Sequence, residues 1–238
     1  MVLYAASIFS SLYGGNDRRM SLMQKYALPP DEIYRRSFAT IDALLPAHNW
    51  SPEERQVITR IVHATGDVQL AGYVHFKPDA IKQALAAIAR GATLFTDVSM
   101  VAAGINKSLA HFHRCQITNL LDQPDLAALA QDQQITRSAA AVVQALPRLG
   151  QQIVVIGNAP TALLALLDAL DEGRCQIPAL IIGMPVGFIA TRESKEALWE
   201  RPYPAITIEG TRGGSPAAAA AINALLALAK QKQEAHGT

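Results

Sequence analysis

The chain has few cysteines and almost no net charge. Two cysteines, Cys115 and Cys175, occur among its 238 residues, and 21 basic residues are balanced by 20 acidic ones, which leaves a net charge of +1. The cysteines lie far apart, outside any CxxC pair and away from histidines at metal-ligand spacing, so we predict no disulfide and no structural zinc. Since neither sign of charge is in excess, bulk charge gives no reason to expect a nucleic-acid partner or an anionic membrane surface.

Nucleotide-binding motifs and membrane-spanning segments are missing as well. The glycine-rich loops have neither the GxGxxG spacing of dinucleotide-binding proteins nor the Gly-Lys-Ser or Gly-Lys-Thr of a Walker loop. The apolar stretch at residues 1–13 has no basic flank before it and is too short to span a bilayer. We therefore expect a cytoplasmic protein with no membrane partner. A nucleotide-binding α/β enzyme remains an alternative, and failure to bind any nucleotide would remove it.

Short β-branched apolar runs alternate with helix-like stretches along the chain, which predicts a mostly parallel sheet with helices on both faces. The predicted strands are residues 93–98, 116–121, 152–157, 179–184 and 205–210. The predicted helices are residues 51–64, 78–90, 126–149 with a break near Thr136, 160–171, 192–200 and 215–231. We predict a three-layer α/β fold in which residues 30–231 form a single domain, with an N-terminal helical part wrapped against the sheet. Residues 1–29 are expected to be an extension that is disordered or depends on the choice of start site, and residues 232–238 a frayed tail.

The helix predicted to begin after Ser51 carries its start and stop signals in full. Ser51 is suited to the N-cap, Pro52 to the first turn and Glu54 to a capping box, and Gly66 marks the end. The apolar stripe of this helix consists of Val57, Ile58, Ile61, Val62 and Thr65. At about 100° per residue, His63 falls roughly opposite the centre of that stripe. A helix C-terminus stabilises an imidazolium, so His63 is a candidate for proton chemistry, the alternative being an ordinary surface histidine.

Two glycine-rich loops follow predicted strands, where ligands bind in open α/β sheets. Residues 157–161 read Gly-Asn-Ala-Pro-Thr, and residues 210–216 read Gly-Thr-Arg-Gly-Gly-Ser-Pro. Each leads into a helix, so its backbone amides could hold a carboxylate or a phosphate. The alternative is that the glycines only allow tight turns between strand and helix.

Three polar positions outside these loops are weaker candidates. Arg137 follows Thr136, a predicted N-cap, and a cation in a first turn opposes the helix dipole, so Arg137 either binds a carboxylate or extends into solvent. Thr96 and Asp97 end a predicted strand, which is the right place for a site, although Asp97 could equally cap the next turn.

Other titratable residues are interpreted as surface features. His111 and His113 have one residue between them and no carboxylate nearby, so a solvated loop is favoured over a set of metal ligands. Lys195 and Glu193 are expected at the exposed start of a helix. No metal site is predicted from these residues.

Several short stretches, taken together and in order, resemble the precorrin-8X methylmutase family of cobalamin biosynthesis. They are residues 36–41 (RSFATI), 62–67 (VHATGD), 96–101 (TDVSMV), 136–140 (TRSAA), 156–163 (IGNAPTAL), 183–188 (GMPVGF), 193–198 (ESKEAL) and 210–215 (GTRGGS). Each stretch alone is weak support, but their joint occurrence in one order is specific. The resemblance begins near Tyr34 and leaves only the two ends of the chain uncovered.

The resemblance implies an isomerase that needs no external cofactor. A methyl group would move from carbon 11 to carbon 12 of a tetrapyrrole, giving hydrogenobyrinate or, with cobalt, cobyrinate. His63 resembles the family's catalytic histidine, and Ser37 and Arg137 match substrate-contacting positions. The other expected substrate-binding residues are Thr96, Asn158, Arg212 and Gly213. The family's habit of pairing subunits around the active site also implies a homodimer.

A second function, from a different class, is left open by the sequence. A tetrapyrrole carrier would bind the product without catalysing anything, and it would use His63 for contact alone. The methylmutase needs the same side chain to exchange a proton.

Overall fold

The computed structural model describes residues 21–236, so residues 1–20 of the predicted extension and the last two residues of the predicted tail lie outside the described residues. The chain divides into two compact units, residues 1–39 and residues 40–238. The first unit contains helix α1 (Leu22–Tyr26) and most of helix α2 (Pro30–Leu44). A hydrogen bond from the Ala27 amide to the Met23 carbonyl oxygen (2.6 Å) closes α1.

The second unit holds the sheet and the remaining helices. The helices are α3 (Pro52–Thr65), α4 (Ala80–Ala89), α5 (Ser99–Gly104), α6 (Lys107–Phe112), α7 (Leu126–Asp132), α8 (Arg137–Leu149), α9 (Pro160–Asp171), α10 (Thr191–Glu200) and α11 (Ser215–His236). The strands are β1 (Val74–Phe76), β2 (Leu94–Thr96), β3 (Ile117–Asn119), β4 (Ile153–Ile156), β5 (Leu180–Gly183) and β6 (Ala205–Ile208). Short 3-10 helices cover Val68–Tyr73 and Leu120–Asp122.

The six strands form one sheet in the order β1-β6-β5-β4-β2-β3. All pairs are parallel except β1 with β6, which is antiparallel with Val74 opposite Ile208. The five predicted strands are confirmed at shorter lengths. The edge strand β1 was not predicted, because His75 interrupts the apolar residues of this short segment.

Helices cover both faces of the sheet. On one face, α8, α9 and α10 pack over alternate strand residues that include Val154, Ile156 and Ile181. On the other face, α11 contacts β4 and β5 and is itself covered by α3. This arrangement confirms the predicted three-layer α/β fold, and it explains why both sides of the central strands are apolar.

Two helical regions differ from the sequence prediction. The last helix continues to His236 rather than ending at Gln231, and Lys232 Nζ donates to Glu53 Oε1 on α3 (3.0 Å). Residues 232–236 therefore continue α11 instead of fraying, because the second unit gives this end a polar partner. The predicted solvated loop at His111 and His113 is also wrong: residues 107–112 are helical and His113 is buried, with Nε2 2.9 Å from the Leu226 carbonyl oxygen. None of the described helices is long and apolar enough to cross a membrane.

Candidate functional site

Five parallel strands end along one edge of the sheet, which we call the carboxyl edge. β2, β3, β4, β5 and β6 end there, at Thr96, Asn119, Ile156, Gly183 and Ile208. Ligands of open α/β sheets bind at this edge, so the segments that follow these strands form the candidate site.

A buried carboxylate organises the loop after β4. Asp97 is 1% exposed, and its Oδ1 accepts a hydrogen bond from the Gly157 amide at 3.0 Å. Its Oδ2 accepts from the amides of Asn158 and Ala159, both at 2.8 Å. Burial raises the pKa of the Asp97 carboxyl, and the three amide donors oppose that rise by stabilising the charged form. The loop at residues 157–159, the Asn158 loop, is therefore fixed to the end of β2.

These contacts correct one prediction and refine another. The amides before Pro160 do bind a carboxylate, but it is that of Asp97, so they are not free to bind a substrate anion. Asp97 caps the loop after the neighbouring strand β4 rather than the turn that follows it in sequence. The side chain of Asn158 is exposed at the carboxyl edge and remains a candidate contact.

The Asn158 loop packs directly against the start of α11. A Cβ added to Gly157 would lie 2.7 Å from Val101 Cγ2 and 3.0 Å from the Ser215 Cα, so only glycine allows this approach. The two predicted glycine-rich loops are thereby brought together.

The turn at residues 210–214, the Arg212 turn, leads from β6 towards α11. Gly213 has a φ of 139°, and a Cβ added at this position would lie 2.4 Å from the Met184 carbonyl oxygen. The Gly214 amide donates a hydrogen bond to that same oxygen at 2.8 Å. The Arg212 guanidinium lies 4.9 Å from the centre of the Tyr73 ring, and its Nη1 is 3.8 Å from Asp67 Oδ2. The backbone of the turn is closely held, whereas the guanidinium is exposed and weakly paired.

His63 lies in the last turn of α3, where the predicted caps are confirmed. Ser51 Oγ accepts from the Glu54 amide (3.2 Å), and Gly66 ends the helix in the left-handed conformation. His63 is half-buried and off the apolar stripe, as predicted, although Thr65 at the end of that stripe is itself only half-buried. It lines a cavity of about 230 Å³ together with residues of α11 such as Pro216 and Ala219. Through Asp67, the segment after His63 also reaches the Arg212 turn.

Arg137 is placed beside the Asn158 loop by two threonines. Thr136 caps α8, its Oγ1 accepting from the Ala139 amide at 3.2 Å, and the same oxygen is 2.7 Å from Thr161 Oγ1 in the first turn of α9. The first turns of α8 and α9 are therefore neighbours. Arg137 is exposed, and within residues 21–236 no hydrogen bond or ion pair holds its guanidinium. It is available for an anionic ligand.

Two predicted substrate contacts have different surroundings. Thr96 is 0% exposed, and its Oγ1 has no hydrogen-bond partner among the described residues. Ligand contact by Thr96 stays a prediction, and its hydroxyl is buried at the end of β2. Ser37 lies in α2, in the unit formed by residues 1–39, and is half-buried.

Lys195 is a buried residue that the sequence interpretation placed at the surface. It is 2% exposed, and its Nζ donates to the Arg212 carbonyl oxygen at 2.6 Å. Burial lowers the pKa of the Lys195 ammonium to about 8. A signal was present in the sequence, because Lys195 shares the i, i+3, i+4, i+7 spacing of the buried face of α10, whose residues are Thr191, Ser194, Lys195 and Leu198.

We expect burial of Lys195 to make stability depend on pH. Its pKa is about 8 in the folded chain against an ordinary value of 10.5, so between these values the unfolded chain binds more protons and stability rises with pH. Between pH 7 and pH 9.5, the free energy of unfolding of the wild type should rise by about 2 kcal/mol relative to Lys195→Met. Denaturant titrations of both proteins across this range measure the difference. Parallel profiles would contradict the expectation.

The cysteines contribute no reactive group to the site. Both are free thiols, with Cys115 buried and Cys175 half-buried. Burial raises the pKa of Cys115 to about 11 and raises that of Cys175 as well, which keeps both thiols protonated near neutral pH.

The fold and the site define an α/β protein with a half-buried histidine, two exposed arginines and glycine-rich turns at the carboxyl edge of its sheet. The family model for precorrin-8X methylmutase (CbiC) matches residues 32–228. A precorrin-8X methylmutase from Sinorhizobium sp. is 42% identical over 202 residues, 84% of this chain and 95% of the relative. A cobalt-precorrin-8 methylmutase from Synechocystis sp. is 37% identical over 211 residues, 83% of this chain and 95% of the relative.

A solved structure agrees with these sequence relatives. The crystal structure of precorrin-8x methyl mutase from Thermus thermophilus has a TM-score of 0.78 and 38% identity, covering 84% of this chain and 98% of that chain. The chain belongs to the precorrin-8X methylmutase family, which confirms the resemblance drawn from its motifs, and it is an enzyme of that family.

Proposed function

We propose that the protein is an isomerase that moves a methyl group from carbon 11 to carbon 12 of precorrin-8X or cobalt-precorrin-8. The bond between carbon 11 and the methyl group breaks as the bond to carbon 12 forms, so substrate and product have the same composition. His63 lends a proton to the conjugated ring system, which becomes electron-poor and lowers the barrier to migration, and the proton is returned when the shift is complete. The reaction needs no external cofactor.

The position of His63 carries this proposal. The imidazole is half-buried beside a cavity at the start of α11, and Asp67 links the segment that follows it to the Arg212 turn. A proton donor thus precedes a segment that contacts the Arg212 guanidinium, which can orient an anionic substrate. Such positioning contributes to catalysis because it fixes the reacting geometry before the proton moves.

The exposed cations suit a substrate fringed with acetate and propionate groups. Arg137 offers a guanidinium beside the Asn158 loop that has no partner within residues 21–236, and Arg212 can exchange its weak contact with Asp67 for a substrate carboxylate. Asn158 adds an exposed amide side chain, and the half-buried Gly213 is a further proposed contact beside Arg212. Ser37 is proposed as a substrate contact on its match to a family motif alone.

The size of the cavity bears on how the macrocycle is bound. The space beside His63 is about 230 Å³, below the ~300 to 1,000 Å³ of typical small-molecule sites, so it takes one edge of the ring rather than the whole.

The loop after β5 exposes Phe188 (91%) and Ile189 (85%) on the second unit. An exposed apolar loop of this kind favours a protein contact, and we propose a cytoplasmic homodimer that encloses the rest of the substrate.

Anaerobic conversion of the two substrates tests the proposal. The purified protein is incubated with precorrin-8X and, separately, with cobalt-precorrin-8, and the visible spectrum is followed for the product chromophore. We expect conversion of at least one substrate, and the preferred one identifies the metal-free or the cobalt-containing reaction. Binding of both without conversion of either would contradict the proposal and favour a tetrapyrrole carrier.

A further inference from the structure

Lys195 is a buried cation of the second unit whose charge no carboxylate neutralises within residues 21–236. Its ammonium makes a single hydrogen bond among the described residues, to the Arg212 carbonyl oxygen. The titratable groups around the adjoining cavity of about 290 Å³ are Glu196 and Glu200 of α10, His75 of β1 and Glu209 after β6. None of these groups forms an ion pair with Lys195 in the described part of the chain.

An apolar side chain of similar length would fill this position at lower cost, because a buried ammonium with one partner is poorly compensated. The depressed pKa of Lys195 reflects that cost. Packing alone therefore does not explain why a lysine occupies this position. Within residues 21–236, the one hydrogen bond of its ammonium goes to the Arg212 turn.

Hydrogen bonds fix the backbone of the Arg212 turn, whereas the Arg212 side chain makes only weak contacts. The Gly214 amide donates to the Met184 carbonyl oxygen (2.8 Å), and the Thr211 carbonyl oxygen accepts from the Gly187 amide (3.2 Å). Lys195 adds a charge-assisted hydrogen bond of 2.6 Å between these two attachments. The Arg212 guanidinium, 3.8 Å from Asp67 and 42% exposed, is left able to move.

We propose that Lys195 is a positioning residue, whose ammonium fixes the Arg212 backbone so that the guanidinium can bind a carboxylate of the tetrapyrrole. This inference rests on the proposed function for the identity of the ligand. The positioning itself is a property of the free protein and can be measured without any ligand.

Hydrogen exchange of the ligand-free protein provides the first test. In Lys195→Met, amide exchange of a peptide covering residues 209–214 should accelerate about tenfold, since a charge-assisted hydrogen bond is lost, and in Lys195→Gln by less, since an amide donor is kept. Lys82→Met, a change at an exposed lysine of α4, is the matched control and should exchange like the wild type. Equal exchange in Lys195→Met and the wild type would overturn the proposal.

A double-mutant cycle on product binding provides the second test. Titration with hydrogenobyrinate should show binding weakened about tenfold in Arg212→Ala and similarly in Lys195→Met, with no further loss in the double variant. Losses that multiply would mean that Lys195 acts independently of Arg212, and unchanged binding in Lys195→Met would mean that the turn needs no such support; either overturns the inference. If the wild type fails to bind the product, the proposed function fails, while hydrogen exchange still decides whether Lys195 holds the turn.

Discussion

Replacing His63 with alanine should remove methyl migration while leaving the fold and product binding nearly unchanged. General acid–base catalysis contributes about 10²- to 10⁴-fold to a rate. We therefore expect the single-turnover rate of precorrin-8X conversion to fall by at least about 10²-fold. The side chain is half-buried and off the apolar stripe of α3, so little packing is lost. The rate is measured from the visible spectrum, and product binding is measured by titration.

His111→Ala is the matched control for this experiment. His111 is exposed on the short helix α6 and is not part of the site, so its variant should turn over at the wild-type rate. Conversion by His63→Ala at the rate of His111→Ala would show that the reaction needs no proton from His63, and the acid–base role would then be abandoned. Tight product binding without turnover in the wild type would instead favour the carrier.

Asp97→Ala is expected to have the largest effect on stability. Removing the carboxylate leaves three amides of the Asn158 loop without an acceptor, two of them in the buried residues Gly157 and Ala159. A buried donor without a partner costs about 1 to 3 kcal/mol, and we expect the free energy of unfolding to fall by about 3 kcal/mol in all. The loss is smaller than the summed cost of three unpaired amides, because the substitution also removes the unfavourable burial of the carboxylate. The raised pKa of Asp97 reflects that burial.

Chemical denaturation of Asp97→Ala and Asp132→Ala measures this effect against a matched change. Asp132 is exposed at the end of α7, and a surface substitution of this kind changes stability by about 0.5 kcal/mol or less. Equal midpoints for the two variants would show that the Asn158 loop does not depend on the carboxylate. Because Asn158 is a proposed substrate contact, product binding by Asp97→Ala should also weaken.

The elements that the sequence predicted well are those encoded by neighbouring residues. The capping box of Ser51 and Glu54 and the Gly66 stop fixed both ends of α3, and the apolar spacing within it put His63 off the buried face. The five parallel strands were likewise evident from β-branched runs. The short helices α5 and α6 were missed because six residues hold too little periodicity, and β1 was missed because His75 interrupts its apolar residues.

The site was predicted less completely than the fold. The motifs pointed to the right family, which the family model and the relatives confirmed. The same motifs gave no sign that Asp97 would occupy the amides of the Asn158 loop, and Lys195 was placed on the surface. A lysine on an apolar helical face could have been recognised as buried, but nothing local indicated what its ammonium would contact.

The sequence by itself determined the order of strands and helices along the chain, the two ends of α3 and the position of His63 off the buried face of that helix. Each of these features depends on residues within a turn or two of one another. Only the tertiary structure decided which polar groups meet. Asp97 reaches Gly157 across 60 residues, and Lys195 reaches the Arg212 carbonyl across 17. Such pairs form because parallel strands bring their carboxyl ends to one edge of the sheet, and the order in which the strands lie side by side is set by packing on both faces rather than by any local pattern.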